Sequence, residues 1–381
     1  MPSPISPLNS YKAPPIPSIS AQTFHIAGIQ TTVFGLAEIP ANVSEVVCVW
    51  LGHPRLDSQR DMAEVAKRIV HDHYQRFSAD SLRGRKKRGL ITVTFDARNH
   101  GSREIDRLSN EVWRTGNENH ASDMFSVYCM PSPFTLPRYS KICILMMRIA
   151  GTAEDISTLI DFLPAYIFPT GQYSIATHFA LGISLGGHTT WLALVHEPRI
   201  TTGVVVVGMP DYIALMTDRA RLSKLSTYLQ PNDAPGSQFL GSRHFPSSLL
   251  EVVRKRDPAA FLTGGIPASL SGDEYDAKSI EIINRYLGGK RILCMSGATD
   301  KLVPYRLTES FITWLKTHAT TGSSVGMGGG PIKKADLWVE DSVYQNTAHD
   351  FTEAMMDEAL EFMHKSVLEL DEKKDDVKSN L

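Results

Sequence analysis

The sequence predicts an α/β fold: a mostly parallel central sheet with helices on both faces and an inserted cap. Three observations predict it. Short β-branched runs, such as VVCVWL at 46–51 and GVVVVG at 203–208, have the character of strands buried on both faces. Stretches with helical spacing alternate with these runs. The stretch 211–289 then breaks the alternation, because no clear strand follows GVVVVG until 291.

Taken in order, 24–29 and 31–39 read as two opening strands joined by a turn, and 46–51 as a buried strand. A helix is predicted over 58–76 and a strand over 90–95. Apolar residues Ile156, Leu159, Ile160 and Leu163 recur at helical spacing within 151–168. A strand over 174–183 leads into GISLGGH, and 189–196 continues as helix. The cap stretch holds helical patterns at 212–228, 246–262 and 277–287. Strands at 291–296 and 335–340 and helices at 308–318 and 351–370 complete the chain. The domain expectation is therefore a disordered Pro/Ser-rich lead over 1–20, a main domain over 21–210 and 290–370, a cap over 211–289 and a charged tail over 371–381.

Composition excludes several classes. With 42% hydrophobic and 21% charged residues the chain can build a sizeable core and is not a disordered polymer. Thirty-nine Lys and Arg against forty-one Asp and Glu leave a net charge of −2, which argues against nucleic acid as a partner. The four cysteines have no metal-ligand spacing and fit a reducing compartment. No run of about 18 apolar residues exists, so no membrane span is expected. The chain ends in Ser379, Asn380 and Leu381, a variant of the S-K-L address read by a peroxisomal import receptor. Peroxisomal or cytoplasmic location follows as the expectation.

The strongest motif is Gly182-Ile183-Ser184-Leu185-Gly186-Gly187, a G-x-S-x-G between a strand pattern and a helical one. So tight a turn needs small residues two before and two after the serine, and it lifts the hydroxyl above the sheet. A serine hydroxyl is a weak nucleophile and needs a base oriented by a third group. His349, in NTAHDF after the last strand, is placed to be that base. Asp300, in SGATDKLVP after the strand at 291–296, is placed to accept the imidazole Nδ1–H. Asp211 in GMPDY is the competing acid, with a helix N-cap as its other reading. Asp341 and Asp350 read as surface or capping residues, and His100 and His188 as packing or hydrogen-bonding ones. For an oxyanion, the backbone N–H of Leu185 is one donor and that of Arg55 the other, with Gly52 and His53 behind it; Pro54 has no N–H to give. The Arg55 side chain reads either as a solvated loop cation or as a ligand for an acidic substrate group. FDARNHGSRE at 95–104 reads as a polar turn supporting the site, since no third metal ligand accompanies its Asp and His.

Together GHPR at 52–55, DARNHG at 96–101, GISLGG at 182–187, GATDKLVP at 297–304 and the late His349 resemble the α/β-hydrolase superfamily. GISLGGHTTWLAL looks like its dienelactone-hydrolase-like esterase branch, and the whole loosely resembles fungal abhydrolase proteins of secondary-metabolite and toxin pathways. His53 is followed by proline where the common pattern has glycine, which leaves the second oxyanion donor open. The resemblance implies a serine hydrolase of a small-molecule ester or thioester, with no metal and no cofactor. The alternatives are a non-hydrolytic relative (acyl transferase, cyclase or lyase) and an inactive binding module. Tyr212, Leu215, Met216 and Phe261 are candidate lining residues of the cap, or ordinary helix packing. The segment 129–150 interrupts flanks that would otherwise join, and reads as a lid loop or as a translated intron.

Overall fold

The computed structural model describes residues 6–79, 87–128, 151–229, 234–320 and 334–370. The segment 129–150 and the tail 371–381, with its reading as an import address, lie outside the described residues. β-Branched runs build the centre of the sheet. Strands β3 (Glu45–Gly52), β4 (Gly89–Phe95) and β7 (Lys290–Gly297) are buried along almost their whole length, as strands covered on both faces must be. With β1 (Ala21–Ile26), β2 (Ile29–Phe34), β5 (Ser174–Ile183), β6 (Ile200–Val206) and β8 (Leu337–Tyr344) they form one eight-stranded sheet. Its order is β1-β2-β4-β3-β5-β6-β7-β8. Only the pairs β1–β2 and β2–β4 are antiparallel. The expected mostly parallel sheet is present, and β5 has the expected bounds.

The opening strands start and end earlier than the apolar pattern suggests. Backbone pairing carries the polar Ala21–Thr23 stretch into the ladder. Ala27 (φ 51°) and Gly28 (φ 78°) make the two-residue turn, the double positive φ of a hairpin turn that follows strand twist.

Helices cover both faces. On one face lie α3 (Thr152–Ile167), α4 (Leu185–His196), α8 (Gly272–Leu287) and α9 (Glu309–His318). Their Leu159, Leu163, Trp191, Ile283, Leu287 and Leu315 join the core under that side of the sheet. On the other, α1 (Ala63–Ala79) lies on β4 and β2 and α10 (Glu353–Leu368) on β6 and β7, and their Val65, Ile69, Met356 and Phe362 join the core of that side. A third cluster joins α2 (His120–Tyr128), α5 (Tyr212–Leu222) and α6 (Ser247–Arg256). It contains Ala97, Leu185, Met209 and Val303, each just past the carboxyl end of a strand, so it sits on that edge of the sheet.

The stretch 211–289 therefore packs in two ways. Its first helices lie on the carboxyl edge, whereas α8 contributes to the core beneath the sheet. The single helical pattern expected at 246–262 is split into α6 and α7 (Pro258–Gly264). Pro258 opens α7 where its missing N–H costs nothing, and Asp257 caps it by accepting the Ala260 N–H at 3.2 Å. A second oxygen of Asp257 accepts from Tyr212 N–H at 3.0 Å, tying α5 to α7.

Where composition suggests a disordered lead, residues 6–11 are held by specific contacts. Pro7 and Leu8 are buried. The Ser6 hydroxyl donates to Asp57, and the Phe351 N–H donates to the Pro7 carbonyl at 2.9 Å. Ser10 donates to Asp350 at 2.8 Å, and the Tyr11 ring lies 5.2 Å from that of Phe351. A few anchors thus hold a segment with no periodic pattern.

Two glycines in this frame differ in what they permit. A Cβ on Gly186 would stand 2.1 Å from the Gly52 carbonyl oxygen, whereas one on Gly28 would meet nothing within 4 Å. Gly186→Ala is expected to destabilise the protein by about 3 kcal/mol or more, read as a lower urea midpoint. Gly28→Asn, at a positive φ that asparagine tolerates, should cost well under about 1 kcal/mol. Equal midpoints for the two variants would contradict the packing described.

Candidate active site

The carboxyl ends of β3, β5, β7 and β8 bring the site together. Between β5 and α4 the chain turns within one residue, and Ser184 adopts φ 56° and ψ −111°. A non-glycine residue in that region carries strain of about 1–3 kcal/mol and persists only where its surroundings hold it. The holding contacts are the Ser184 N–H on the Val206 carbonyl at 2.9 Å and the His188 N–H on the Ser184 carbonyl at 3.0 Å. A Cβ on Gly182 would fall 2.0 Å from the Gly186 carbonyl oxygen, so position 182 has to be glycine for the turn to close. The helix expected from 189 begins at Leu185, because the turn runs directly into it.

His349 stands in the loop after β8. Its Nε2 lies 2.8 Å from Ser184 Oγ, and its Nδ1 lies 2.7 Å from Asp300 Oδ2. A carboxylate only accepts, so Nδ1 carries the proton and Nε2 accepts the serine hydroxyl. The Asp300 side chain is fully buried. Burial alone would raise its pKa, but the bond to His349, that ring's charge and the N–H groups of Val303 and Leu302 outweigh burial and lower it. The acid and base loops are themselves joined. The Thr299 N–H donates to the Thr347 carbonyl at 3.0 Å and its hydroxyl to the same oxygen at 2.9 Å. Gly297 leaves the space this requires, since a Cβ there would lie 2.2 Å from the Ala348 carbonyl oxygen.

The 52–55 loop is pinned beside the serine. The Gly186 N–H donates to the His53 carbonyl at 3.1 Å. The His53 ring accepts the Ala97 N–H at Nε2, 2.9 Å away, which leaves Nδ1–H to donate to the Pro54 carbonyl at 2.7 Å. Burial lowers the His53 pKa and keeps it neutral in this role. The ring and the carbonyl of His53 thus brace the loop. Leu185 is the first residue of α4, so its N–H is one of the donors that a helix start leaves without an intrahelical partner. Pro54 and Arg55 line the same cleft as Ser184 and His349. Behind the loop, Asp96 accepts from Gln59 N–H at 2.7 Å and from Ser102 N–H at 2.8 Å. Gly101 is required there, with φ 53° and its Cβ position only 2.3 Å from the Asp96 carboxylate.

The other acids and histidines fall elsewhere. Asp211 caps α5 by accepting the Ala214 N–H at 2.8 Å. Asp341 accepts from the Tyr305 hydroxyl at 2.7 Å and Asp350 from Ser10. His188 Nδ1 accepts the Met209 N–H at 2.7 Å, and His100 Nδ1 lies 2.9 Å from the Arg98 carbonyl. Among the described residues no group of three or more His, Cys, Asp or Glu is placed to hold a metal ion, and no helix is long and apolar enough to cross a membrane.

The cleft has a volume of about 170 Å³. Its apolar lining comes from Val112, Trp113, Leu222 and Leu302. Tyr212, Leu215 and Met216 are buried in the cluster below, and Phe261 packs on Tyr286 at 4.9 Å, so helix packing is their role. The polar lining includes Arg55 and Arg219. Arg55 is half-buried, which excludes the solvated reading of its side chain. Arg219 was not singled out from sequence, although a signal exists: it continues the buried Tyr212, Leu215, Met216 stripe of α5 with a cation. Trp113 gave no such signal, since it opens a single 3-10 turn, too short for a periodic pattern.

No family model matches the chain, and no curated protein matches it by sequence. Similar solved structures exist. TT1662 from Thermus thermophilus shares 15% identity at a TM-score of 0.47, over 91% of this chain and 98% of that one. The acylaminoacyl peptidase of Pyrococcus horikoshii shares 12% at 0.42, over 88% of this chain and only 38% of that longer one. The S-formylglutathione hydrolase of Agrobacterium tumefaciens shares 13% at 0.42, over 90% and 92%. At these values the fold is read from the strand order and the turn at Ser184 rather than from the likeness.

Asp300 supplies a test in two windows of pH. Asp300→Asn is expected to lower kcat/KM about 10⁴-fold near neutrality, because the amide favours the wrong imidazole tautomer. The carboxylate's lowered pKa contributes stability above the ordinary carboxylate range, near pH 3.9, and that contribution is lost as pH falls through the folded value. Acid unfolding of Asp300→Asn should therefore depend less steeply on pH below about 4 than that of the wild type. Identical slopes would contradict the lowered value.

Proposed function

We propose that this chain, whose strand order and serine turn are those of the α/β-hydrolase fold, is a serine hydrolase that cleaves a carboxylic ester or thioester. The observation that carries the reading is the unbroken relay from Ser184 Oγ through His349 to Asp300, at 2.8 and 2.7 Å.

The chemistry follows from those distances. His349 Nε2 takes the Ser184 proton as Oγ bonds to the substrate's carbonyl carbon, and the carbonyl π electrons move to its oxygen. The Leu185 N–H and the Arg55 N–H are the candidate donors to that oxyanion, and such a donor is worth about 3–4 kcal/mol in the transition state. Asp300 stabilises the imidazolium without taking its proton. The intermediate collapses, His349 protonates the departing alcohol or thiol, and an acyl-serine remains. Water, deprotonated by the same nitrogen, attacks the acyl carbon and releases the acid, returning the proton to Ser184. Fixed donors outside bulk water lower the barrier because they need no reorganisation as charge develops.

Ser184→Ala is expected to abolish fluorophosphonate labelling and to lower p-nitrophenyl ester turnover about 10⁶-fold, with the urea midpoint of the folded protein retained. Labelling that survives in this variant would remove Ser184 from the mechanism. Deacylation of the acyl-serine that proceeds with an alcohol acceptor but not with water would favour an acyl transferase instead.

A further inference from the structure

The cleft that holds Ser184 and His349 is lined by Arg55, Arg114, Arg219 and Lys301, and by no Asp or Glu among the described residues. That imbalance is local, for the chain as a whole is near neutral. Two of the four cations, Arg114 and Lys301, are exposed at the rim, whereas Arg55 and Arg219 are half-buried. The Arg55 guanidinium donates to the Asn110 carbonyl and forms no ion pair among the described residues. Arg219 donates to Met124 Sδ at 3.0 Å, and its Nη1 lies 3.4 Å from His120 Nε2. Its Nη2 donates to the Leu302 carbonyl at 3.5 Å. His120 is a neutral neighbour, since burial first and then the charges of Arg219 and Arg55 push its pKa well down.

Two guanidinium groups drawn partly out of water beside one another are electrostatically unfavourable. Burial and then the Arg219 charge bring Arg55 down to about 10, with only Glu111 opposing. An oxyanion entering the cleft, which no Asp or Glu lines among the described residues, relieves the penalty on Arg55, and the planar forks of both arginines suit a carboxylate or phosphate. We infer that Arg55 and Arg219 hold a second, anionic group of the substrate, so that the preferred ester or thioester carries a carboxylate or phosphate besides its scissile bond. This rests on the serine-hydrolase reading above and names its substrate class.

The test compares mono-p-nitrophenyl glutarate with its neutral methyl ester, and follows fluorophosphonate labelling of Ser184 in parallel. The wild type is expected to favour the anionic ester in kcat/KM by about tenfold or more, the scale of one charge-assisted hydrogen bond. In Arg219→Gln that preference should fall about tenfold, and Arg219→Lys should retain most of it. Glutarate or inorganic phosphate should slow labelling of the wild type, dimethyl glutarate should not, and Arg219→Gln should lose the protection. Stronger protection by glutarate identifies a carboxylate, and stronger protection by phosphate a phosphate. A labelled enzyme with no preference and no protection overturns this inference alone. A folded wild type that is never labelled overturns the hydrolase reading beneath it.

Discussion

Where β3 and β5 end side by side, the backbones of Gly52 and Gly186 touch, with a Cβ on the latter placed 2.1 Å from the former's carbonyl oxygen. Most of the site's geometry descends from that contact. It brings the 52–55 loop against the first turn of α4, where the Gly186 N–H closes on the His53 carbonyl. That bond commits one donor of the helix start, of which the Leu185 N–H is another. Beside it the chain passes through the positive φ at Ser184, held by the backbone bonds to Val206 and His188. The strain is thus stored in the turn and balanced by close packing.

The charges around this turn are sorted. The imidazoles of His53, His100, His120 and His188 all have lowered pKa values, burial being the first cause in each, and so remain neutral. Neutral rings serve as braces and as acceptors without adding charge. Negative charge is concentrated at Asp300, behind His349 and away from the cleft, while the guanidinium groups stand on the cleft wall. Inside a partly dry site such an arrangement acts at longer reach than it would in water.

Much of this was legible in the sequence because it is written in short runs and in order. The strand at 174–183 and the glycines at 182, 186 and 187 are local features, and Ser184, Asp300 and His349 each follow a strand pattern, so their meeting follows from the topology. What was hidden depends on contacts far apart in the chain. The polar start of β1 is fixed by its partner strand, and Leu8 by an anchor near residue 351. The break between α6 and α7 turns on Asp257 capping two helices, although Pro258 alone could have marked it. The lining by Val112 and Trp113 lies at the start of one 3-10 turn, too short for a periodicity that could point to a cleft. The sequence leaves both readings of the Arg55 side chain open because burial of a loop cation has no sequence signature.

The strap formed by residues 6–11 against residues 350–351 has a consequence in the time domain. Ser10 and Asp350, which it joins, are 340 positions apart. At common rates of translation that separation lasts roughly 20–70 seconds. Through that interval the early segment has its anchor at Asp57 but not its partners at Asp350 and Phe351, because the loop bearing His349 has not been made. The base can be braced only after the sheet has closed around β8, so competence at this site is a late event in biogenesis. A ribosome-bound intermediate lacking the last strand would hold a formed serine turn and yet be chemically silent.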